Sequence, residues 1–590
     1  MWTGSALADR LRAHLTTLYG HRASAVADQV IRLIELHAPR IKPRQKSSWD
    51  EKDIILITYG DQITDGRRPT LEVLRDFLSD HRLVNLFRIL HLLPIFPASS
   101  DDGFSVVDYR QVDARLGTWD HIRELASHFD LMIDLVLNHV SRKSAYFQGY
   151  LAREARFANF FIEAVPDPLL VQVVRPRNTP LLTPVETKAG RRYVWTTFSD
   201  DQVDLNYAEP AVLLEILDVL LFYLEQGVRI LRLDAVPYLW KRLGTPCINL
   251  PETHEIVKVL RCVVDAVAPG TLLLTETNIP EIEGSNYFGF GDEAHLVYQF
   301  SLPALVLDAF LNGGGAFLSR FLAHHSSTPL GTTVVNFLAS HDGIPLRGLE
   351  AILPPDRLNA LVDEVIKRGG CVSHRLAPNG AEVPCELNIT YFSALSEPGG
   401  REAEVVRRRF VAAHAFLLAL RGIPAVYILS LFATPNYLEG VKQTGRNRTI
   451  NRRKFELSEL NAMLSDSASE AAQVFGAMKR LAEVRLDQPA FHPEAPQLPI
   501  DTGNPNLVSF KRESLDGSQH IVVVLNVGKN PEKLSPDALA GRRPIRNLLS
   551  GPELSFLSTN APGDSAGQQT PEASVDALIP PGGIVWWEVT

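Results

Sequence analysis

Val228-Arg-Ile-Leu-Arg-Leu-Asp234 is an apolar run of strand length that ends in charge. Alternate side chains of a strand share a face, so Arg232 and Asp234 project together to one side, away from Leu231 and Leu233. A strand buried on both faces tolerates such groups only where they are paired or used. Outward from it, Ile54 to Ile57, Phe87 to Leu93, Leu131 to Leu137, Thr271 to Leu274, Val334 to Leu338 and Pro424 to Leu429 are similar short runs, separated by longer amphipathic segments. Strands alternating with helices predict a parallel sheet. Seven such runs exceed what an ordinary doubly wound sheet needs, and an eighth near Leu296 to Phe300 completes an α/β fold of the (β/α)8 TIM barrel type.

The flanks read differently. Residues 1–49 carry apolar positions at helical spacing, among them Ala25, Val26, Ile31, Leu33 and Ile34, and predict a helical N-terminal extension. The barrel then occupies residues 50–489. Within it, residues 140–205 follow the third run, are rich in aromatics, Pro and Arg, and show no sustained period; they predict a small subdomain inserted over the barrel mouth. Residues 490–590 switch to short alternating segments split by Gly, Pro, Asn and Ser, as in Leu507 to Phe510, Ile521 to Leu525 and Ile584 to Trp587. They predict a C-terminal antiparallel β domain. Thr559 to Glu572 is expected to be a mobile surface loop.

Composition excludes several classes of function. Across 590 residues, 59 Lys and Arg stand against 68 Asp and Glu, a net charge of −9, so no basic surface is available to neutralise nucleic-acid phosphates. The first residues, MWTGSALADRLRAHL, are charged where a secretory signal needs an apolar core, and no later stretch supplies about 18 uncharged apolar residues. A cytoplasmic protein without a membrane partner is expected. Cys247, Cys262, Cys371 and Cys385 are far apart, without CxxC spacing, which argues against a zinc site or a disulfide framework. No P-loop or GxGxxG fingerprint is present. Oligomeric state is not legible.

In barrels of this type the working groups project from the C-terminal ends of strands. The third run ends Asp134-Leu-Val-Leu-Asn138-His139, with Asp134 and Asn138 on one face and His139 entering the loop; a satisfied structural Asp and an Asn cap fit equally. In the fourth, Arg232 is expected to lower the pKa of Asp234 more than burial raises it, keeping the anion a nucleophile needs. A structural ion pair would read the same. The fifth run ends in Glu276 with no adjacent cation, so burial keeps its proton on, as a general acid requires. The seventh ends in His341 and Asp342. Three acids at the ends of runs four, five and seven give the two-carboxylate arrangement of glycoside cleavage plus a third stabilising group.

At these residues the sequence resembles the α-amylase superfamily, glycoside hydrolase family thirteen, over roughly residues 50 to 590. The signature regions appear in order as Asp134 to His139, Arg232 to Asp234, Glu276, and His341-Asp342, with Gln202 to Asn206 as a weaker fifth. The resemblance implies Asp234 as the nucleophile that forms a β-glucosyl-enzyme, Glu276 as acid/base, and Asp342 as the group that grips the sugar hydroxyls. Closer similarity is to the sucrose phosphorylase subfamily, carried by Ile57 to Asp61, Ser100 to Phe104, Asp113 to Trp119, Arg175-Pro-Arg177, Asn388 to Ala394 and Arg448 to Arg452. It implies that Asp101, rather than Asp102, pairs with Arg448 and closes the glucose pocket behind one ring. His139, Gln202, Arg232 and His341 would serve the donor sugar, and Phe104 a platform under it. Tyr238 and Arg177 would lie toward the acceptor, with Arg177 holding phosphate.

Two departures narrow the reading. Glu382-Val-Pro-Cys385-Glu386-Leu stands where sucrose-specific members supply an Asp and a Tyr, and Asn278 stands where they carry a His that meets fructose. With the N-terminal extension and Asn286 to Glu293, the chain is more similar to the branch of glucosylglycerate and glucosylglycerol phosphorylases. That similarity implies a retaining phosphorylase taking a small α-glucoside and inorganic phosphate to α-D-glucose 1-phosphate. Glucosylglycerate ranks first, then glucosylglycerol, then sucrose. Arg347 and Arg375 are candidates for the glycerate carboxylate. The alternative on the same fold is an amylosucrase-like transglucosidase or an α-glucosidase. No cofactor and no metal site are implied.

Overall fold

Eight parallel strands close into a barrel in the computed structural model of the chain. It describes residues 4–42, 49–324, 327–377, 381–397, 403–539, 542–558 and 578–590. The expected loop at Thr559 to Glu572 lies outside the described residues. The barrel strands are β1 (Ile55–Thr58), β2 (Ile89–Leu92), β3 (Asp130–Val136), β4 (Ile230–Asp234), β5 (Leu272–Thr275), β6 (Leu296–Tyr298), β7 (Thr333–Phe337) and β8 (Ile423–Tyr427). Each pairs with its neighbours in sequence, and β8 closes on β1. Their side chains are almost all buried, because helices cover the outside and side chains fill the inside. Register decides what meets at the rim. Asp134 of β3 stands beside Arg232 of β4 and Val136 beside Asp234, while Leu233 pairs with Thr275, so Asp234 and Glu276 emerge on adjacent strands at one level.

Two of the covering helices start where the sequence supplies proline. Pro210–Glu225 and Pro251–Val267 each begin with a residue whose missing N–H is not needed in a first turn. The N-terminal helices Gly4–Tyr19 and Ala23–His37 lie on these two. Leu7, Leu11, Leu15 and Leu18 form a buried stripe at a spacing of three or four. Each such leucine contributes about 1.5–3 kcal/mol of burial. His14 meets Glu255 at 2.8 Å, His37 meets Asp218 at 2.9 Å, and the Tyr19 hydroxyl donates to the Tyr207 carbonyl at 3.0 Å.

Between β3 and β4, His139–Ser141 pairs antiparallel with Gln202–Asp204, and a hairpin joins Leu182–Thr187 to Gly190–Trp195. Gly190, at φ +92, supplies the left-handed residue of its turn. A second hairpin, Cys371–Leu376 with Glu382–Asn388, is extended by Ile344–Pro345 after β7. Toward the C-terminus, Gln497–Ile500, Leu507–Glu513, His520–Asn526, Ile584–Val589 and Pro544–Asn547 form a five-stranded antiparallel sheet in that order. Among the described residues no helix is long and apolar enough to cross a membrane, and the four cysteines are free.

Candidate active site at the barrel mouth

A cavity of about 550 Å³ opens at the C-terminal ends of the strands. Asp234, Glu276 and Asp342 line it, together with Asp101, Phe104, His139, Arg177, Gln202, Tyr238, Asn278, His341 and Arg448. Arg232 lies deeper, in a small adjoining cavity it shares with Glu276, Asn278 and Asp342. The sequence therefore names residues that the fold brings to one place.

Asp134 is wholly buried and accepts from His91 Nε2 at 2.9 Å and from Arg232. Arg232 Nη1 also donates to Asp234 Oδ1 at 2.9 Å. One guanidinium is thus divided between two carboxylates. The expectation that Arg232 would hold Asp234 below its ordinary pKa is corrected here. Burial is the stronger influence and raises the Asp234 carboxyl well above the usual range against Arg232, with Glu276 and Asp134 adding repulsion. Glu276 is also raised, chiefly by burial and then by Asp342, against Arg232 and the Ala235 N–H. That N–H donates to Glu276 Oε2 at 2.9 Å. Ala235 reaches this position with φ 55, a left-handed conformation unfavourable for a residue with a Cβ.

Another part of the lining joins His139, Gln202 and the segment from Asp101 to Phe104. His139 meets the Phe104 carbonyl at 2.9 Å through Nε2 and Gln202 at 3.1 Å, and Gln202 donates to Asp101 Oδ2 at 3.3 Å. Burial lowers the pKa of His139, and lowers that of His341 to about 3, so both rings are neutral at neutral pH. Phe104 stacks on His341 with centroids 5.0 Å apart and rings 7° from parallel. Asp201 gathers the hydroxyls of Ser99, Ser100 and Ser105 and so fixes the loop that carries Asp101.

The ion pairs differ from the expected ones. Asp101 is held by Arg177 Nη2 at 3.1 Å, not by Arg448. Arg448 donates to Asp342 Oδ1 at 2.5 Å and grips Glu386 with two bonds of 3.0 and 2.6 Å. Arg452 bonds Asp102 and the His341 carbonyl, and approaches Asp342 at 3.4 Å. Successive left-handed residues, Asp101 at φ 52 and Asp102 at φ 49, separate the two carboxylates, Asp101 toward the cavity and Asp102 toward solvent. Despite burial, the arginines hold Asp101 and Asp342 well below the usual carboxylate range.

Tyr238, Arg347 and Arg375 line the same cavity as Glu276, and burial raises the pKa of the Tyr238 phenol while the Arg347 guanidinium opposes that rise. Arg375 is tied to Glu350 at 2.7 Å. Asn278 Oδ1 is buried without a partner among the described residues. Among those residues no group of three or more His, Cys, Asp or Glu is placed to hold a metal ion. The buried ammonium of Lys241 instead joins Asn138 Oδ1 at 2.8 Å to Asp204 Oδ2 at 2.5 Å.

Residues 87–343 match the family described as alpha amylase, catalytic domain. A glucosylglycerate phosphorylase of Allomeiothermus silvanus is 46% identical over 540 residues, which cover 91% of this chain and 94% of that protein. The chain belongs to the α-amylase family. A glucosylglycerate phosphorylase of Spirochaeta thermophila is 44% identical over 502 residues, 85% of each chain. Among solved structures, the sucrose 6F-phosphate phosphorylase of Thermoanaerobacter thermosaccharolyticum superposes with a TM-score of 0.70 at 27% identity, over 81% of this chain and 94% of that one.

In this α-amylase-family barrel the sequence reading assigned no role to four residues that hold groups at the mouth in place: Glu386, Arg452, Asp201 and Lys241. Arg452 was within reach, since it closes the stretch Arg448 to Arg452 at a spacing of four. The other three act through partners far away in sequence, Glu386 on Arg448, Asp201 on Ser100 and Lys241 on Asn138, and no local pattern marks them.

Proposed function

We propose that the protein is a retaining glycoside phosphorylase that transfers glucose from a small α-D-glucoside to inorganic phosphate, giving α-D-glucose 1-phosphate. Glucosylglycerate is the preferred donor, ahead of glucosylglycerol and sucrose. The observation that carries the reading is the pairing of Asp234 and Glu276 on adjacent strand ends, under an acceptor side lined by Arg177, Tyr238, Arg347 and Arg375. The glucosylglycerate phosphorylases similar to the chain over most of its length support the choice of donor.

Asp234 attacks the anomeric carbon and Glu276 gives its proton to the departing oxygen, leaving a β-glucosyl-enzyme. A hydrogen phosphate oxygen then displaces Asp234 from the same side the leaving group vacated, and Glu276 recovers a proton from the phosphate. Two inversions restore the α configuration. The two carboxyls titrate as a pair, since each raises the cost of ionising the other. This cycle requires the remaining proton on Glu276, and the guanidinium hydrogen bond that Asp234 alone accepts favours that arrangement. Asp342 keeps its charge through Arg448 and Arg452 and receives the sugar hydroxyls as positive charge develops at C1. Asp101, Phe104, His139, Gln202, Arg232, His341 and Arg448 form the donor side, with Tyr238 and Asn278 toward the acceptor. Phosphate bound at Arg177 would share that guanidinium with Asp101. We place the reaction in the cytoplasm, because the product is an anionic ester of use only where it is made.

The test is an assay of glucose 1-phosphate and free glucose from glucosylglycerate, glucosylglycerol and sucrose, each with and without phosphate. Glucose 1-phosphate formed only with phosphate, and fastest from glucosylglycerate, is expected. Equal glucose release in both buffers would overturn the reading in favour of a hydrolase.

A further inference from the structure

The arginines of the cavity are not equally available. Arg448 and Arg452 are bonded to Asp342, Glu386 and Asp102, Arg177 to Asp101, and Arg375 to Glu350. Arg446 is exposed at the rim. Arg347 is half-buried in the lining, and among the described residues no carboxylate stands within ion-pair distance of it. It shares that lining with Tyr238 and with Glu276.

The backbone beneath Arg347 is firmly held. It follows the short strand Ile344–Pro345, whose register sets Pro345 against Glu386, and the Leu346 N–H donates to the Cys385 carbonyl at 3.0 Å. The next residue, Gly348, packs so closely that a Cβ there would sit 2.5 Å from Ser301 Oγ. A cation without a carboxylate partner among the described residues is therefore presented from a fixed turn, into the cavity that Tyr238 and Glu276 also line.

Resting on the phosphorylase reading above, we propose that Arg347 is the anion anchor of the acceptor subsite, engaged in turn by the carboxylate of the departing glycerate and by the phosphate that replaces it. Leaving group and attacking phosphate occupy the same side of C1, opposite Asp234, and never at the same time. One unpaired guanidinium can therefore serve both anions, and its fork fits the planar carboxylate and the phosphate alike. A neutral glycerol or fructose leaving group draws nothing from it. Arg347 thus sets the preference for an acidic aglycone.

The test compares the parent enzyme with Arg347→Gln and Arg347→Lys. Glucosylglycerate and glucosylglycerol serve as donors, and phosphate is varied. A charge-assisted hydrogen bond is worth about 1.5–3 kcal/mol, so Arg347→Gln is expected to lower the ratio of kcat/KM for glucosylglycerate over glucosylglycerol by about tenfold to a hundredfold. The KM for phosphate should rise by a similar factor, and Arg347→Lys should recover part of both. A ratio within twofold of the parent value, or a change in only one of the two anions, would overturn the shared anchor. A parent enzyme that makes no glucose 1-phosphate from any donor would instead overturn the phosphorylase reading itself.

Discussion

The backbone N–H of Ala235 donates to Oε2 of Glu276 at 2.9 Å, so the residue following Asp234 positions the carboxyl at the end of the neighbouring strand. A left-handed alanine costs about 1–2 kcal/mol, and here that strain is spent aiming one N–H. Glu276→Gln keeps an acceptor for this N–H but cannot supply a proton. Its kcat on glucosylglycerate should fall roughly 10²–10⁴-fold. α-D-glucosyl fluoride, whose leaving group needs little protonation, should lose far less, read as fluoride release. Equal losses on the two donors would remove Glu276 from the role of acid.

Burial raises Asp234 and Glu276, whereas in the unfolded chain both titrate near pH 4. A carboxyl that binds its proton more tightly when folded stabilises the fold less and less as pH rises from about 4 through its folded pKa. Asp234→Asn removes that penalty. The variant should melt above the parent at pH 8, by roughly 1 °C for each kcal/mol relieved, with the gap closing as pH falls toward about 4. Asp101 and Asp342 act oppositely: their lowered pKa values stabilise the fold above about pH 4 and that contribution is lost below it. Melting curves of both proteins across pH decide the matter, and a gap independent of pH would refute the raised pair.

Lys241 is buried between Asn138 at the end of β3 and Asp204 in the chain leading to β4. The Asp204 carboxylate also accepts the Thr197 N–H at 2.8 Å and its hydroxyl at 2.6 Å. Removing the ammonium leaves a buried anion short of its counter-charge, so Lys241→Met should cost about 3–5 kcal/mol in denaturant unfolding. Pairing it with Asp204→Asn should cost clearly less than the sum of the two single changes. Strict additivity would show that the two side chains do not act together. Because His139 and Gln202 flank this junction, the KM for the donor should rise as well.

Each of the eight barrel strands begins and ends within two residues of the apolar run that predicts it. A parallel strand covered on both faces reads as continuous hydrophobicity, which is why these were legible. The two hairpins were not. Pro184 and Pro384 interrupt them, one face of Leu182–Thr187 is solvated, and the second hairpin shifts register between Ser373 and His374, where His374 pairs with Pro384. With that hairpin unseen, Glu386 had no visible reason to approach Arg448. The three acids were legible because polar residues ending buried strands violate the pattern around them. Arg232 beside Asp234 was legible too, but the counter-ions of Asp101, Asp102 and Asp342 were not, since Arg177, Arg448 and Arg452 choose between them through loop backbone that spacing does not encode.

Glu386 fixes the plane of the Arg448 guanidinium through both of its oxygens, leaving Nη1 for Asp342 Oδ1. Asp342 Oδ1 therefore already carries Arg448 and Arg452, while Oδ2 lies 3.5 Å from His341 Nε2. Glu386→Gln preserves the side chain's shape but withdraws one of the two charges that compete for Arg448. The guanidinium then leans on Asp342 alone, at the expense of the sugar hydroxyls that Asp342 is proposed to receive. Loss of one charge-assisted bond is worth about 1.5–3 kcal/mol, so the donor KM should rise about tenfold or more, with a smaller change in kcat. A purely structural role for Glu386 would lower the melting temperature and leave that split unmoved. Steady-state kinetics of Glu386→Gln beside Arg448→Lys, which cannot reproduce the two-point grip, distinguishes the outcomes.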